Sequence, residues 1–373
     1  MNNGKVSLNL MLIELGWSAT FQRDFEERKV AGSVPGRVAS EHRGSYDVLT
    51  ERGILAAEVS GRFRNQSDVN GRFPAVGDWV VIVPLPGEEK GIIHAVLPER
   101  SRFSRQASGG RQRLSGGRTE EQIVAANVDT VFIVGALDEG RSSNMRRIER
   151  YLTLGWNSGA TPVVVLNKSD LCPDVTGFVR SLEPITAGVD VHAVSAVEKT
   201  GLEALREYIT QGRTVAFLGS SGVGKSALIN ALLGYERQQV QEVRGRDYTG
   251  RHTTTSRELI LMLGGGVVID TPGMREIQMW AGEDDLGDTF EDIGELAAWC
   301  RFKDCQHKAE PGCAVKAAVQ RGDLDARRLD SYEKLQKEVR YHEARQAGSL
   351  RLEEKLRWKK IAKVQKAIKR GGA

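Results

Sequence analysis

Between Gly36 and Leu97 apolar and polar positions exchange every residue or two, in short runs separated by turn residues. GRVAS (36–40), YDVLT (46–50), ILAAEV (54–59), DWVVIV (78–83) and GIIHAVL (91–97) have the period and β-branched content of strands. Gly53, Asn70-Gly71 and Pro86-Gly87 punctuate them. Five short strands in so few residues predict a small antiparallel β-barrel of the OB type over 36–103. From about residue 123 the texture changes. VDTVFIVGA (128–136), TPVVVLN (161–167), DVHAVSA (190–196), RTVAFLG (213–219) and GGVVID (265–270) are continuous apolar runs. Such runs fit strands buried on both faces of a mostly parallel sheet. MRRIERYLTLGW (145–156) and SALINALLG (226–234) have helical spacing and alternate with them, so 123–280 reads as an α/β domain.

The remaining stretches differ in kind. Residues 1–35 are mixed in character and read as an appendage. Residues 104–122 read as an Arg-rich linker: the stretch 100–118 holds six arginines, four glycines and no acid. Such a stretch is flexible until it meets a polyanion, and the ring of Phe103 beside it is a candidate for stacking on a base. Residues 281–350 pass from an acidic run through a Cys/His cluster into charged helix. The tail 351–373 reads as a basic helix, with nine basic and two acidic residues in 351–370.

Composition narrows the class. The 373 residues are 40% hydrophobic and 27% charged, an ordinary globular balance that excludes fibrous and disordered chains. Lys+Arg 53 against Asp+Glu 49 gives +4, a mild excess whose position matters more than its size. No run approaches the roughly 18 apolar residues of a membrane span. The opening MNNGKVSLNLMLIELGW carries Glu14 and lacks a small-residue cleavage site, so a secretory signal is not expected and the cytoplasm is. Four cysteines are too few for a disulfide scaffold.

Gly219-Ser220-Ser221-Gly222-Val223-Gly224-Lys225-Ser226 is a complete phosphate-binding loop between an apolar strand and an apolar helix. Its glycines let backbone N–H groups wrap a phosphate at a helix N-terminus that already favours anions. Lys225 would reach the β/γ-phosphates, and the Ser226 hydroxyl would bind Mg²⁺. Asp270-Thr271-Pro272-Gly273 closes another buried strand; Asp270 would hold Mg²⁺ through water and Gly273 would offer its N–H to a γ-phosphate. In Arg251-His252-Thr253-Thr254-Thr255 between them, Thr254 is the candidate to complete the Mg²⁺ shell and sense the γ-phosphate. Met274 stands where many GTPases place a water-orienting glutamine. Intrinsic hydrolysis should then be slow, and His252 is the candidate for positioning water.

Asn167-Lys168-Ser169-Asp170 ends the strand TPVVVL. The Asp170 carboxylate would accept from guanine N1–H and the N2 amino group together, a donor pair that adenine lacks. Asn167 would support the loop and base, and the Lys168 stem would pack on the ring. Ser195-Ala196 would offer a backbone N–H to guanine O6. These residues make GTP, not ATP, the expected nucleotide. All the motifs sit at C-terminal ends of apolar strands, where open α/β sheets bind ligands. Their order is inverted, with the guanine motifs before the phosphate loop, so the domain reads as circularly permuted.

Cys300-x4-Cys305-x-His307-x5-Cys313 offers three thiolates and an imidazole, which predicts one structural Zn²⁺ held by four protein ligands. A barrel of OB type, an Arg-rich linker and a basic tail together suggest nucleic acid.

The succession of small barrel, NKSD, SA, GSSGVGKS, RHTTT, DTPG and the Cys/His spacing resembles the RsgA family, also called YjeQ. The resemblance covers about 36–340. It implies an N-terminal OB-fold, a permuted GTPase and a C-terminal zinc domain. It implies a late assembly factor that binds the small ribosomal subunit and its rRNA and is activated by it, with GTP and GDP as ligands. A monomer and no membrane are expected. The apolar Met274 agrees with that family's residue at this position. A rival reading from another class is a GTP-gated switch whose barrel and zinc module dock a different protein or RNA partner.

Overall fold

The computed structural model describes residues 11–42, 44–64, 72–106, 121–138, 145–234, 258–270, 289–308, 310–337 and 339–340. They fall into two compact units: one drawn from Met1–Ser104 with Ile123–Ile277, the other from Arg105–Gln122 with Gln278–Ala373.

In the first unit, β1 (Val34–Glu41), β2 (Tyr46–Thr50), β3 (Gly53–Val59), β4 (Trp79–Pro84) and β5 (Lys90–Val96) follow the five predicted runs. They pair in the order β1-β2-β3-β5-β4, and β4 pairs back onto β1, closing the barrel. Only β3 and β5 run parallel, as an OB-fold requires. The alternation decides which side chains go inside. Val38, Tyr46, Val48, Leu55, Ala57, Val59, Val80, Ile82 and Ile93 form the barrel core.

The α/β part of this unit has the strand order β10-β9-β8-β11-β13-β12. These are β8 (Thr130–Ala136), β9 (Thr161–Asn167), β10 (Val191–Ala193), β11 (Thr214–Gly219), β12 (Glu258–Leu261) and β13 (Val267–Asp270). β8, β9, β10, β11 and β13 pair in parallel; the apolar runs of β8, β9, β11 and β13 are buried on both faces, and the edge strand β10 is half-buried. β12 has no counterpart among the predicted strands. It is four residues long, lies antiparallel on β13, and meets the barrel through the single pair Ser40↔Glu258.

Within the N-terminal stretch, Leu12, Leu15, Phe21 and Phe25 are buried, and Trp17 meets Trp79 of the barrel edge-on at 4.7 Å. Arg102–Gln106 and Glu121–Ala126 (β6 and β7) form a two-stranded sheet at the ends of the Arg-rich stretch. Phe103 on β6 is 1% exposed, so it packs in the core and does not stack on a base. Its neighbour Ser101 is tied by its hydroxyl to the Val128 carbonyl at 2.6 Å. Residues 107–120 of the linker, 341–350 and the basic tail 351–373 lie outside the described residues.

Arg37 on β1 joins the barrel to the α/β part. It is 1% exposed, and its guanidinium donates to the Leu15 carbonyl, to Gly77 O (3.2 Å), to Asn127 O (3.0 Å) and to Thr214 Oγ1 (2.9 Å). Burial pushes its pKa down to about 10, partly offset by Asp129 and Asp78, so it stays charged at neutral pH. One planar fork thereby ties the N-terminal segment, the loop before β4, the residue after Ala126 and the first residue of β11. Arg37→Met should destabilise the first unit by about 3–5 kcal/mol, because it takes the guanidinium from the Leu15, Asn127 and Thr214 acceptors, Gly77 O alone keeping a second donor in Asn127 Nδ2. Urea unfolding followed by tryptophan fluorescence checks this, and a midpoint like the parent's would refute it.

In the second unit a helix at Glu291–Ala297 leads to the cysteine cluster, followed by helices at Ala314–Arg321 and 326–337. Phe290, Ile293, Val315, Ala318, Leu324, Leu329, Leu335 and Val339 are buried there. Arg328 grips both carboxylate oxygens of Asp292, at 2.6 and 2.8 Å, and donates to Thr289 O at 2.7 Å. Among the described residues no helix is long and apolar enough to cross a membrane.

Candidate nucleotide site and metal centre

β11 ends at Gly219, the loop turns, and a helix begins at Lys225 (Lys225–Leu233). The loop is held close to its neighbours. A Cβ on Gly219 would lie 2.4 Å from the Val134 carbonyl oxygen, and one on Gly224 would lie 2.2 Å from Asn167 Nδ2. Gly224 also has φ of +95°, a backbone region closed to most side chains. The Lys225 ammonium curls over the loop and donates to Gly219 O and Ser220 O, both at 2.7 Å. Val223 is buried as the loop's anchor, while Ser220, Ser221 and Ser226 stand at half-buried or exposed positions on its open side.

The guanine motifs, about fifty residues upstream, are bonded to this loop. Asn167 Nδ2 donates to Val223 O at 2.9 Å, and its Oδ1 accepts from the Ala196 N–H at 3.1 Å. One side chain therefore ties NKSD, Ser195-Ala196 and the phosphate loop together. The backbone N–H groups of both Ser195 and Ala196 have partners within the chain, Thr200 O at 3.1 Å and Asn167 Oδ1. Ser195 Oγ donates to Asp170 Oδ1 at 2.5 Å and accepts from the Glu198 N–H at 3.1 Å. The Asp170 carboxylate is thus fixed in orientation and keeps lone pairs for further donors. Lys168 sits at φ +64° and its ammonium meets Asp138 Oδ2 at 2.8 Å. Ser169 opens the short 3₁₀ turn Ser169–Leu171 that carries Asp170. Asp270 leaves the end of β13, which pairs in parallel with β11 and so delivers it beside the phosphate loop. His252, Thr254, Gly273 and Met274 lie outside the described residues.

Two residues here escaped the sequence reading. Asp138 follows β8 and pairs with Lys168; Arg147, on the helix Met145–Asn157, donates to Ser220 Oγ at 2.8 Å. The only sequence signal for Asp138 is its place at the C-terminal end of an apolar strand. Arg147 has none, since a basic residue on an amphipathic helix is ordinary.

The metal centre lies wholly in the second unit. The ligand atoms of Cys300, Cys305, His307 and Cys313 lie within 4.8 Å of one another. His307 Nδ1 is 3.5 Å from Cys313 Sγ and 3.7 Å from Cys300 Sγ, and the latter two sulfurs are 3.9 Å apart. A tetrahedral Zn²⁺ with bonds of about 2.3 Å to sulfur and 2.0 Å to nitrogen demands ligand separations of this size. The donor set therefore fits zinc, and four protein ligands make the site structural. His307 takes φ +57° to turn its ring inward, and burial lowers its pKa, favouring the neutral imidazole that a metal needs. Burial pushes Cys305 up to about 11. Burial also works against the Cys300 thiolate, but the Val315 and Ala314 N–H groups at the start of the helix Ala314–Arg321 bring its pKa below the usual value. Cys313 caps the same helix, accepting from the Lys316 N–H at 3.4 Å.

The chain is 45% identical, over 97% of its length and 98% of the relative's, to the small ribosomal subunit biogenesis GTPase RsgA of Opitutus terrae. It belongs to the RsgA family. A family model described as RsgA GTPase matches residues 97–280. RsgA 2 of Lactiplantibacillus plantarum is 43% identical over 90% of this chain and 91% of that one. Among solved structures, YjeQ from Thermotoga maritima superposes with a TM-score of 0.61 at 30% identity, covering 82% of this chain and 98% of its own. YloQ, a circularly permuted GTPase, gives 0.59 at 25% identity, over 84% and 96%.

The RsgA assignment makes the α/β part a permuted GTPase that hydrolyses GTP with Mg²⁺, and makes the cysteine cluster its structural zinc centre. Asn167 ends β9 in the sheet that β10 and β11 share, so its amide bonds the loop after β11 and the loop after β10 at once. Asn167→Ala strips the carbonyl of Val223 and the N–H of Ala196 of their partners, at roughly 1–3 kcal/mol each. GTP and GDP should then bind about 10- to 100-fold more weakly, together and without loss of preference over ATP. Competitive titration with a fluorescent GDP analogue measures this; unchanged affinities would show the tie to be dispensable.

Proposed function

We propose that this chain is a GTPase of small ribosomal subunit biogenesis, acting in the cytoplasm as a monomer, whose hydrolysis is stimulated by the subunit and drives its release. The observation that carries this reading is identity of 45% along nearly the whole chain with a GTPase named for that role. The site supports the nucleotide half in detail. Gly219 to Ser226 wrap the phosphates, Lys225 swings from its two carbonyls to the β/γ-phosphates, and the Ser226 hydroxyl enters the Mg²⁺ shell. Asp170, held by Ser195, reads guanine; Lys168, held by Asp138, lays its stem along the ring; the Ser195-Ala196 loop frames the base. Thr254 and Asp270 complete the metal shell, Gly273 reports the γ-phosphate, and His252 positions water where Met274 cannot.

The ribosomal half is supported by an OB-type barrel, a zinc module and an Arg-rich stretch of sequence, all of which suit rRNA. The test is GTP hydrolysis by the purified protein with and without small subunits, at about 50 and 200 mM salt. RNA docking through several phosphates should give stimulation that falls by orders of magnitude across that range. Turnover indifferent to subunits would reject the ribosomal reading, and stimulation indifferent to salt would reject docking through RNA.

A further inference from the structure

Trp299 is 83% exposed, immediately before the first cysteine of the metal centre. Among the described tryptophans it stands apart, since Trp79 is fully buried and Trp17 and Trp156 are half-buried. Phe302, three residues on, is 40% exposed, with the Arg301 guanidinium over its ring at 5.6 Å. A single exposed ring is ordinary, but two exposed aromatics three residues apart with cations between and beside them form the pattern of a base-stacking surface. The backbone here is held from both sides. Trp299 N–H bonds Leu296 O at 3.1 Å, Cys300 N–H bonds Ala297 O at 3.0 Å, and Arg301 N–H bonds Gly312 O at 3.1 Å. Two of the flanking residues, Cys300 and Cys305, are metal ligands, so the knuckle clamps the segment that presents the rings.

We infer that Trp299 and Phe302 form a stacking platform for unpaired RNA bases, with Arg301, Lys303 and Lys308 taking the adjoining phosphates. Charge within the knuckle favours this occupant over an apolar protein surface, while the exposed acids Glu291 and Glu295 belong to the preceding helix. Residues 299–308 carry Arg301, Lys303 and Lys308 against one acid, Asp304, and all four charged side chains are exposed. The nearby Glu310 carboxylate is turned inward onto the Gln306 and Lys308 N–H groups, at 3.1 and 2.8 Å. Aromatic faces between cations are the common design of single-strand binders, and zinc knuckles are among the modules that use it. The inference rests on the reading of this chain as an rRNA-docking GTPase and gives one of its contacts a location.

The test uses the full-length, zinc-loaded protein and a fluorescein-labelled single-stranded RNA of about twelve nucleotides, with a duplex of the same sequence as comparison. Trp299→Ala should weaken single-strand binding by roughly 5- to 100-fold, as expected for loss of one stacked base. Trp299→Phe should recover most of it, and duplex binding should change little. Zinc content and basal GTP hydrolysis, measured on each variant, should match the parent and thereby exclude misfolding. Unchanged single-strand affinity in Trp299→Ala overturns the platform. So does a variant that loses small-subunit binding yet holds RNA normally, since its partner would then be a protein. If the parent ignores small subunits while its RNA binding depends on Trp299, the platform stands and the biogenesis reading falls.

Discussion

Asp170→Asn should lower GTP affinity by roughly 10²- to 10³-fold and pass the preference to xanthosine triphosphate. Guanine presents two donors, N1–H and the N2 amino group, and a carboxylate accepts from both. Each charge-assisted bond is worth about 1.5–3 kcal/mol, and tenfold in affinity is about 1.4 kcal/mol. Asparagine keeps one acceptor and turns a donor toward the N2 amino group, adding a clash of donors to the lost bond. Xanthine has a carbonyl at that position and accepts from the same amide. Ser195 sharpens the expectation, because its hydroxyl already bonds Asp170 Oδ1 at 2.5 Å and fixes how the side chain faces the base. Isothermal titration with GTP, ATP and xanthosine triphosphate measures the switch. An Asp170→Asn variant that still binds GTP like the parent would mean that Asp170 is idle and that the nucleotide is chosen elsewhere.

Removing the zinc should unfold the metal knuckle and leave the nucleotide site working. Structural zinc in small fingers contributes about 10–16 kcal/mol at neutral pH, more than the whole stability of most domains. Among the described residues of 300–313 only the ligands His307 and Cys313 are buried, so the knuckle itself leans on the metal. The GTPase strands have a separate core, built on Phe132, Phe217, Leu228 and their neighbours in the first unit. Cys300→Ser, or prolonged chelation of the parent, should therefore release the metal and expose 300–313 to trypsin at Arg301, Lys303 and Lys308. GTP binding should stay within about threefold of the parent's, since no ligand of the knuckle belongs to the first unit. Zinc analysis, limited proteolysis and nucleotide titration on one preparation decide it. A zinc-free protein with unchanged proteolysis would make the cluster ornamental, and lost GTP binding would make the two units interdependent.

Much of the site was legible because its signals are local. The phosphate loop needs its glycines at fixed spacing within one short turn, and Gly224 shows why: φ of +95° and no room for a Cβ against Asn167. The metal ligands lie within fourteen residues because a knuckle is a local turn. The barrel strands were legible because a half-buried strand must alternate. β12 was not, since four residues on an antiparallel edge carry too little pattern, and their burial depends on β13 and the barrel beside them. Phe103 was misread for the same reason: next to arginines its ring looked available, and only the strand it joins puts it inside.

The sequence by itself therefore determined the chemistry: which nucleotide, which metal, and which segments alternate or run apolar. These are properties of neighbours along the chain, where the spacing of residues is fixed by covalent geometry. The tertiary structure decided the couplings. Arg37 reaches Thr214 across 177 positions, Asn167 reaches Val223 across 56, and Lys168 finds Asp138 across 30. It also decided that Leu12, Leu15, Phe21 and Phe25 bury a segment that reads as an appendage. Such contacts leave no periodic trace, because each is set by where whole elements pack, and any polar residue of suitable reach reads alike in the chain until its partner is placed beside it.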